Sequence, residues 1–346
     1  MDKTMLEKVG DEQQLYTARQ YRLCGGKADG MRMIELKSFA GLRAEIAADR
    51  CMDLYRLEYK GVNLGYMTAA GMVSSKYYQS EDFLRSFTAG FFTTCGLKNV
   101  GAGCVDLGEE AVVHGRIGNT PADRVNVDVV EEDGKTILTA SGVMREAIIF
   151  GEKLELKRKI TMDARSAYIR ISDTVTNFGG ETQPLELLYH MNMGYPLLDA
   201  FSEITIPAEK TSARDARAQE GIEDWMYFCE PVSGFAEQCY DHVLYKKDGK
   251  SAVMIFNPKL NIGVVIELLS DTLDHFTEWK MPGVKDYVLG LEPGNANVLG
   301  RAAMRESGEL KFIEPGEKVH FELGIRIIDG NYEYETAKRR IFELAR

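Results

Sequence analysis

The sequence has no long apolar run: nothing in its 346 residues approaches the roughly 20 consecutive apolar positions that span a bilayer. Its start, Met1 to Gln14, is charged and polar and lacks the apolar stretch of a secretory signal. A soluble, cytoplasmic protein is therefore expected. Positive charge is outnumbered by negative, with 42 Lys and Arg against 53 Asp and Glu. The formal net charge of −11 argues against any function that rests on neutralising phosphates, so no nucleic-acid or membrane partner is expected. The six cysteines, Cys24, Cys51, Cys95, Cys104, Cys229 and Cys239, include no C-x-x-C pair. That spacing implies neither a disulfide framework nor a structural zinc, but reduced thiols mostly in the core.

Several catalytic signatures are missing too. There is no P-loop, no H-E-x-x-H and no G-x-S-x-G. The run Val100-Gly101-Ala102-Gly103, followed by Gly108, has the wrong spacing for a dinucleotide fingerprint and reads as a glycine-rich loop. No fixed-period repeat, Pro/Ser-rich linker or charge block divides the chain, and the polar stretch 213–224 reads as a long surface loop. One domain over residues 1–346 is expected.

What is present is strand-forming pattern. With 45% apolar and 27% charged residues, the chain can bury a substantial core. Val319, Phe321, Leu323, Ile325 and Ile327 alternate with His320, Glu322, Gly324 and Arg326, so one face of that strand is buried and the other is wet. Ile169, Ile171 and Val175 repeat the pattern, with Asp173 breaking the apolar face. Asp133-Gly134 and Asp248-Gly249 each read as a hairpin turn between two strands. Helical signals are confined to residues 2–22, 80–86 and 334–344. Many strands without alternating helices predict an all-β fold, a large antiparallel β-sandwich.

Among the five histidines, His114 and His190 stand out. Each follows apolar residues and precedes turn-forming ones, a place where a pocket forms. Either is a hydrogen-bonded structural group or a proton carrier near neutral pH. Glu292 follows the apolar run 287–291 and precedes Pro293-Gly294. It is either a loop-facing carboxylate or a base tuned by partial burial at a sheet rim. Asp241, in the run Cys239-Tyr240-Asp241-His242, is a weaker candidate. Trp279 is either a stacking platform for a sugar face or a core tryptophan. Arg116 and Lys280 are either solvated charges or a clamp for an acidic sugar, a phosphate or a sulfonate.

Taken in order, these segments resemble the galactose mutarotase-like (aldose 1-epimerase) superfamily. The run 189–194 is similar to its N-H-x-Y-F-N-L strand, Asp241-His242-x-Leu244 to its D-H-x-F-x-L segment, Leu291-Glu292-Pro293 to its glutamate strand, and His114-Gly115 to its L-H-G motif. The runs 49–53, 92–97, 114–117 and 290–295 resemble more closely a subgroup of uncharacterised aldose-epimerase-related proteins. The resemblance covers roughly residues 8–330. It implies that His190 is the general acid toward a sugar ring oxygen, Glu292 the base toward the anomeric hydroxyl, and His114 and Asp241 hydroxyl-binding groups, with no cofactor or metal. The chain departs from the pattern in Met191-Asn192-Met193 after the histidine and in Glu278-Trp279-Lys280-Met281, where an indole and a cation are added.

The expected activity is carbohydrate isomerisation of the aldose 1-epimerase kind, by a monomer or homodimer acting on a small carbohydrate. Two alternatives stand beside it. One is another isomerase, epimerase or lyase, with His114, His190 and Glu292 as metal ligands. The other is a non-catalytic carbohydrate-binding protein. The primary reading requires His114, His190, Asp241 and Glu292 to share one face of the sandwich within the length of a sugar.

Overall fold

Strands dominate the computed structural model, which describes residues 3–80 and 82–344. A five-stranded meander opens the chain, with strands Thr17–Arg22, Arg32–Lys37, Leu42–Ala47, Asp53–Tyr59 and Val62–Asn63 paired in sequence order. An eight-stranded antiparallel sheet runs Asp123–Glu132, Lys135–Ala147, Lys153–Asp163, Tyr168–Asn177, Lys318–Asp329, Ile262–Leu269, Lys250–Asn257, Glu203–Thr205 in spatial order. A six-stranded antiparallel sheet runs Ala208–Ala213, Gln238–Leu244, His275–Pro282, Tyr287–Gly294, Glu186–Gly194, Phe92–Leu97. One hydrophobic cluster takes residues from all three sheets, among them Leu57, Ile171, Tyr189, Ile266, Leu291 and Ile325. The large antiparallel sandwich expected from the patterning is what forms.

The alternation in Lys318–Asp329 is realised as read. Phe321, Leu323, Ile325 and Ile327 are buried, while His320 and Arg326 are exposed. The break at Asp173 has a physical cause. Its carboxylate takes two contacts from the fully buried guanidinium of Arg158, Nε at 3.0 Å and Nη2 at 2.6 Å, and a hydrogen bond donated by the Tyr189 hydroxyl at 2.7 Å. Arg158 also donates to Asp53, which accepts from the Thr94 hydroxyl and backbone N–H. A buried charge survives only when paired and hydrogen-bonded. This network ties the meander, the eight-stranded sheet and the six-stranded sheet together, directly beneath His190.

Two expectations need correction. Asp133-Gly134 closes a hairpin, with φ of 49° and 72° and the flanking strands paired. Asp248-Gly249 has similar angles, 51° and 69°, but its flanking strands separate after one bridge, Lys247 with Lys250. Gln238–Leu244 stays in the six-stranded sheet and Lys250–Asn257 crosses to the eight-stranded one. Turn chemistry sets the reversal, but the almost fully buried Lys250–Asn257 strand needs neighbours on both edges and core on its faces. Among the described residues at the N-terminus only short helical turns form, Lys3–Leu6 and the 3-10 turn Glu12–Gln14, and Thr17–Arg22 is a strand registered on Arg32–Lys37.

The C-terminal helix, Asn331–Glu343, lays Tyr334 and Ile341 on the outer face of the eight-stranded sheet, with Tyr334 stacked on Phe256 at 4.2 Å. A cavity of about 740 Å³ beside it is lined by Tyr168, Glu267, Arg326 and Tyr332. None of the site residues expected from the sequence faces it. All six cysteines are free thiols. No helix is long and apolar enough to cross a membrane among the described residues.

Candidate active site

The six-stranded sheet carries the site on the face turned away from the core. Antiparallel register sets residues side by side across neighbouring strands. Ser212 pairs with Asp241, Asp241 with Thr277, Thr277 with Glu292, and His190 with Thr93. The pairs Leu188 with Gly294 and Met191 with Leu291 bracket His190 and Glu292, which therefore lie opposite each other. Asp241, Thr277, Glu292 and His190 thus form one row. The ladder lapses at His190 and Glu292, next to Pro293, which has no N–H to donate. Both residues lie inside strands, not at the strand ends the turn residues suggested.

His190 Nδ1 and Glu292 Oε1 approach to 3.2 Å, with side chains 8% and 2% exposed. The approach is not aligned as a hydrogen bond, and neither atom has another partner among the described residues. Buried polar atoms without partners are uncommon, and here two face each other. Burial, with His114 adding, lowers the His190 pKa to about 3. Burial, with the Glu237 and Asp241 carboxylates adding, pushes Glu292 well above the usual carboxylate range. Both shifts follow from burial, which disfavours separate charges on this pair.

Gly290 makes room for the carboxylate. A Cβ there would lie 2.2 Å from Glu292 Oε1 and 2.8 Å from the Trp279 Cβ. Aromatic rings wall the histidine, with Trp279 at 5.3 Å and Phe87 at 5.3 Å between ring centroids. His114 comes from a loop rather than a strand, and its ring lies 5.4 Å from that of His190. The glycine-rich segment noted above holds it: His114 N–H donates to the Gly101 carbonyl at 2.9 Å, and its Nδ1 accepts from the Gly101 N–H at 3.3 Å. The neutral tautomer therefore carries its proton on Nε2, a donor for a ligand oxygen. Burial lowers its pKa to about 4. Asp241, three strands from His190, accepts from the Thr277 hydroxyl at 3.2 Å, and burial raises its pKa.

Lys280 does not join this group. Strand alternation puts it on the face opposite Trp279, where its ammonium donates to the Asp224 carbonyl at 2.7 Å. Its inner-face neighbour Glu278 meets His242 Nε2 at 3.1 Å. Arg116 is exposed, and its charge is felt at Glu146 rather than at the His190–Glu292 pair. The cationic clamp expected for an acidic ligand is therefore not assembled from these two residues. Nor do His114, His190 and Glu292 form a ligand set: no group of three His, Cys, Asp or Glu among the described residues is arranged to hold a metal ion.

Sequence reading missed Thr277, Gly290, Asn192 and, in the aromatic wall beside Trp279, Phe87. Asn192 is fully buried on the same face as His190. Its amide donates to the His190 and Gly90 carbonyls, leaving Oδ1 without a partner. The period-2 spacing from His190 was the available signal.

The large antiparallel sandwich is shared with solved structures of galactose mutarotase-like proteins. A candidate aldose 1-epimerase from Klebsiella pneumoniae superposes with a TM-score of 0.91 at 22% identity, over 97% of this chain and 91% of that one. A galactose mutarotase-like protein from Clostridium acetobutylicum gives 0.66 at 15% identity, over 91% and 99%. The galactose 1-epimerase of Lactobacillus acidophilus gives 0.62 at 11%, over 91% and 100%. The chain belongs to the family described as a domain of unknown function (DUF4432), whose model matches residues 28–327. No curated protein matches it.

Proposed function

We propose that the chain is an aldose 1-epimerase-like isomerase that interconverts the anomers of a sugar, with His190 and Glu292 as its acid–base pair and His114, Asp241 and Trp279 as substrate contacts. The observation that carries this reading is the 3.2 Å approach of His190 Nδ1 to Glu292 Oε1, both atoms buried and otherwise unpartnered. Opening a hemiacetal ring needs one proton delivered to the ring oxygen and one removed from the C1 hydroxyl. The C1–ring oxygen bond breaks as C1=O forms.

With His190 on the ring-oxygen side and Glu292 on the C1 side, ring opening turns an imidazolium–carboxylate pair into a neutral imidazole and a carboxylic acid. Burial favours the neutral form of the pair before the ring opens as well, so the charged form is reached by passing the Glu292 proton to His190 across their 3.2 Å contact. Closure on the other face reverses both transfers. The Nε2–H of His114 and the Asp241 carboxylate are available to hold substrate hydroxyls. The likeness to the relatives above supports the same fold, and the chemistry rests on these side chains.

The test is two-dimensional exchange NMR on a panel of aldoses in the presence of the protein. Anomer exchange faster than in buffer alone is the expected result for at least one sugar. A sugar that raises the melting temperature by binding yet exchanges no faster with protein than without it would make the chain a carbohydrate-binding protein instead.

A further inference from the structure

Beside the row of His190 and Glu292 lies a second row on the same face. Asn192 pairs with Gly290, Gly290 with Trp279 and Trp279 with Cys239. Arg214 follows, its N–H donating to the Cys239 carbonyl at 3.0 Å. The indole of Trp279 stands edge-on to His190, at 79° between ring planes. Its Nε1–H donates to Glu237 Oε2 at 2.8 Å. Glu237 Oε1 in turn accepts from Arg214 Nη1 at 3.0 Å. The same guanidinium lies 2.9 Å from the Cys239 thiol and is held by Asp215.

The chain of contacts runs one way. Arg214 is anchored to the sheet through Cys239, Glu237 is fixed by Arg214, and the indole is fixed by Glu237. The Glu237 side chain is 46% exposed and packs no core, so its contacts concern the pose of its neighbours and not the fold. Its carboxylate also lies close enough to raise the Glu292 pKa, while Arg214 lowers it. The relay therefore ends at the reacting pair.

We propose that Arg214 and Glu237 are positioning residues that lock the Trp279 indole at its angle to His190, so that the indole forms the wall of the substrate subsite next to the acid–base pair. This rests on the sugar-isomerase reading above. A tryptophan side chain turns about two torsions, and a charge-assisted hydrogen bond at its one polar atom is what selects a single pose. Substrate contact with a fixed wall is made equally in the bound and reacting states. Losing the pose should therefore weaken binding more than turnover.

The test has two arms. The sequence holds two tryptophans, so a Trp225→Phe background leaves Trp279 as the sole indole fluorophore. Glu237→Ala should shift its emission and increase its quenching by acrylamide, and Glu237→Gln, which keeps an acceptor, should restore most of both. On a sugar the protein interconverts, Glu237→Ala should raise KM by about tenfold with kcat changed little. Trp279→Phe combined with Glu237→Ala should be no worse than Trp279→Phe alone. Unchanged Trp279 emission in Glu237→Ala overturns the positioning role, whether or not any sugar is turned over. Additive losses in the double variant overturn it as well. Failure of the wild type to exchange any sugar defeats the isomerase reading, and the emission arm then decides the indole-locking role by itself.

Discussion

Glu292 can lean toward His190 only because the residue two positions before it, on the same face, is glycine. Gly290→Ala would put a methyl 2.2 Å from Glu292 Oε1, and the carboxylate must swing away. A misplacement of about 1 Å costs on the order of 10² in rate. The expected outcome is a kcat loss of that order with a modest change in KM, measured by anomer exchange. The buried histidine should also mark the pH dependence of stability. An unfolded histidine takes up a proton near pH 6.5, at about the ordinary value, whereas buried His190 stays neutral down to about 3. Between these values the unfolded chain binds more protons, so stability falls as pH falls. Glu292 acts in the opposite sense, because its raised folded value makes stability fall as pH rises through it. That contribution is present with or without His190. Wild type should therefore lose melting temperature relative to His190→Asn as pH drops from 6.5 toward 4, and a constant gap across that range would contradict the burial argument. His190, Glu292 and Asp241 were legible because polar groups in apolar strands need a reason, and His114 because it stands between apolar residues and a turn-forming glycine. Lys280 was misplaced although its alternation with Trp279 already set it on the other face. Glu237 and Arg214 were invisible, because they reach the indole from a loop end that no local pattern ties to Trp279.

Beneath the site, the strand Glu186–Gly194 is held by Tyr189, whose hydroxyl donates to Asp173. The Arg158–Asp173–Asp53 network thus fixes from below the strand that presents His190 from above. Asp173→Asn would leave Arg158, fully buried, with Asp53 as its one remaining carboxylate. Breaking such a pair costs about 3–5 kcal/mol, and urea unfolding should show a loss of that size. A loss under about 1 kcal/mol would place the network among weak ion pairs. Asp173 was conspicuous in the sequence as a charge on an apolar face. Its partners were not, since Arg158 and Tyr189 meet it through strand pairing and sheet stacking. The two Asp-Gly turns make the same point from the other side: their backbone conformations agree, yet at 248–249 the chain changes sheet, because burial of Lys250–Asn257 decides its neighbours.

At the scale of the molecule, periodicity and turn density made the antiparallel sandwich readable, and the order of motifs made the mutarotase-like arrangement readable. The division into meander, eight-stranded sheet and six-stranded sheet was not, because it depends on which strands meet across loops as long as 214–237. The fold brings together a row of Asp241, Thr277, Glu292 and His190 from three separate stretches of chain, and catalysis by that row is the central claim. It is tested most directly by Glu292→Gln, which keeps the shape and removes the proton acceptor, on a sugar whose anomers the wild type exchanges. The expected result is a loss in kcat of roughly 10²- to 10⁴-fold with sugar binding and melting temperature retained. Turnover equal to wild type in that variant would contradict the assignment of Glu292 to the reaction.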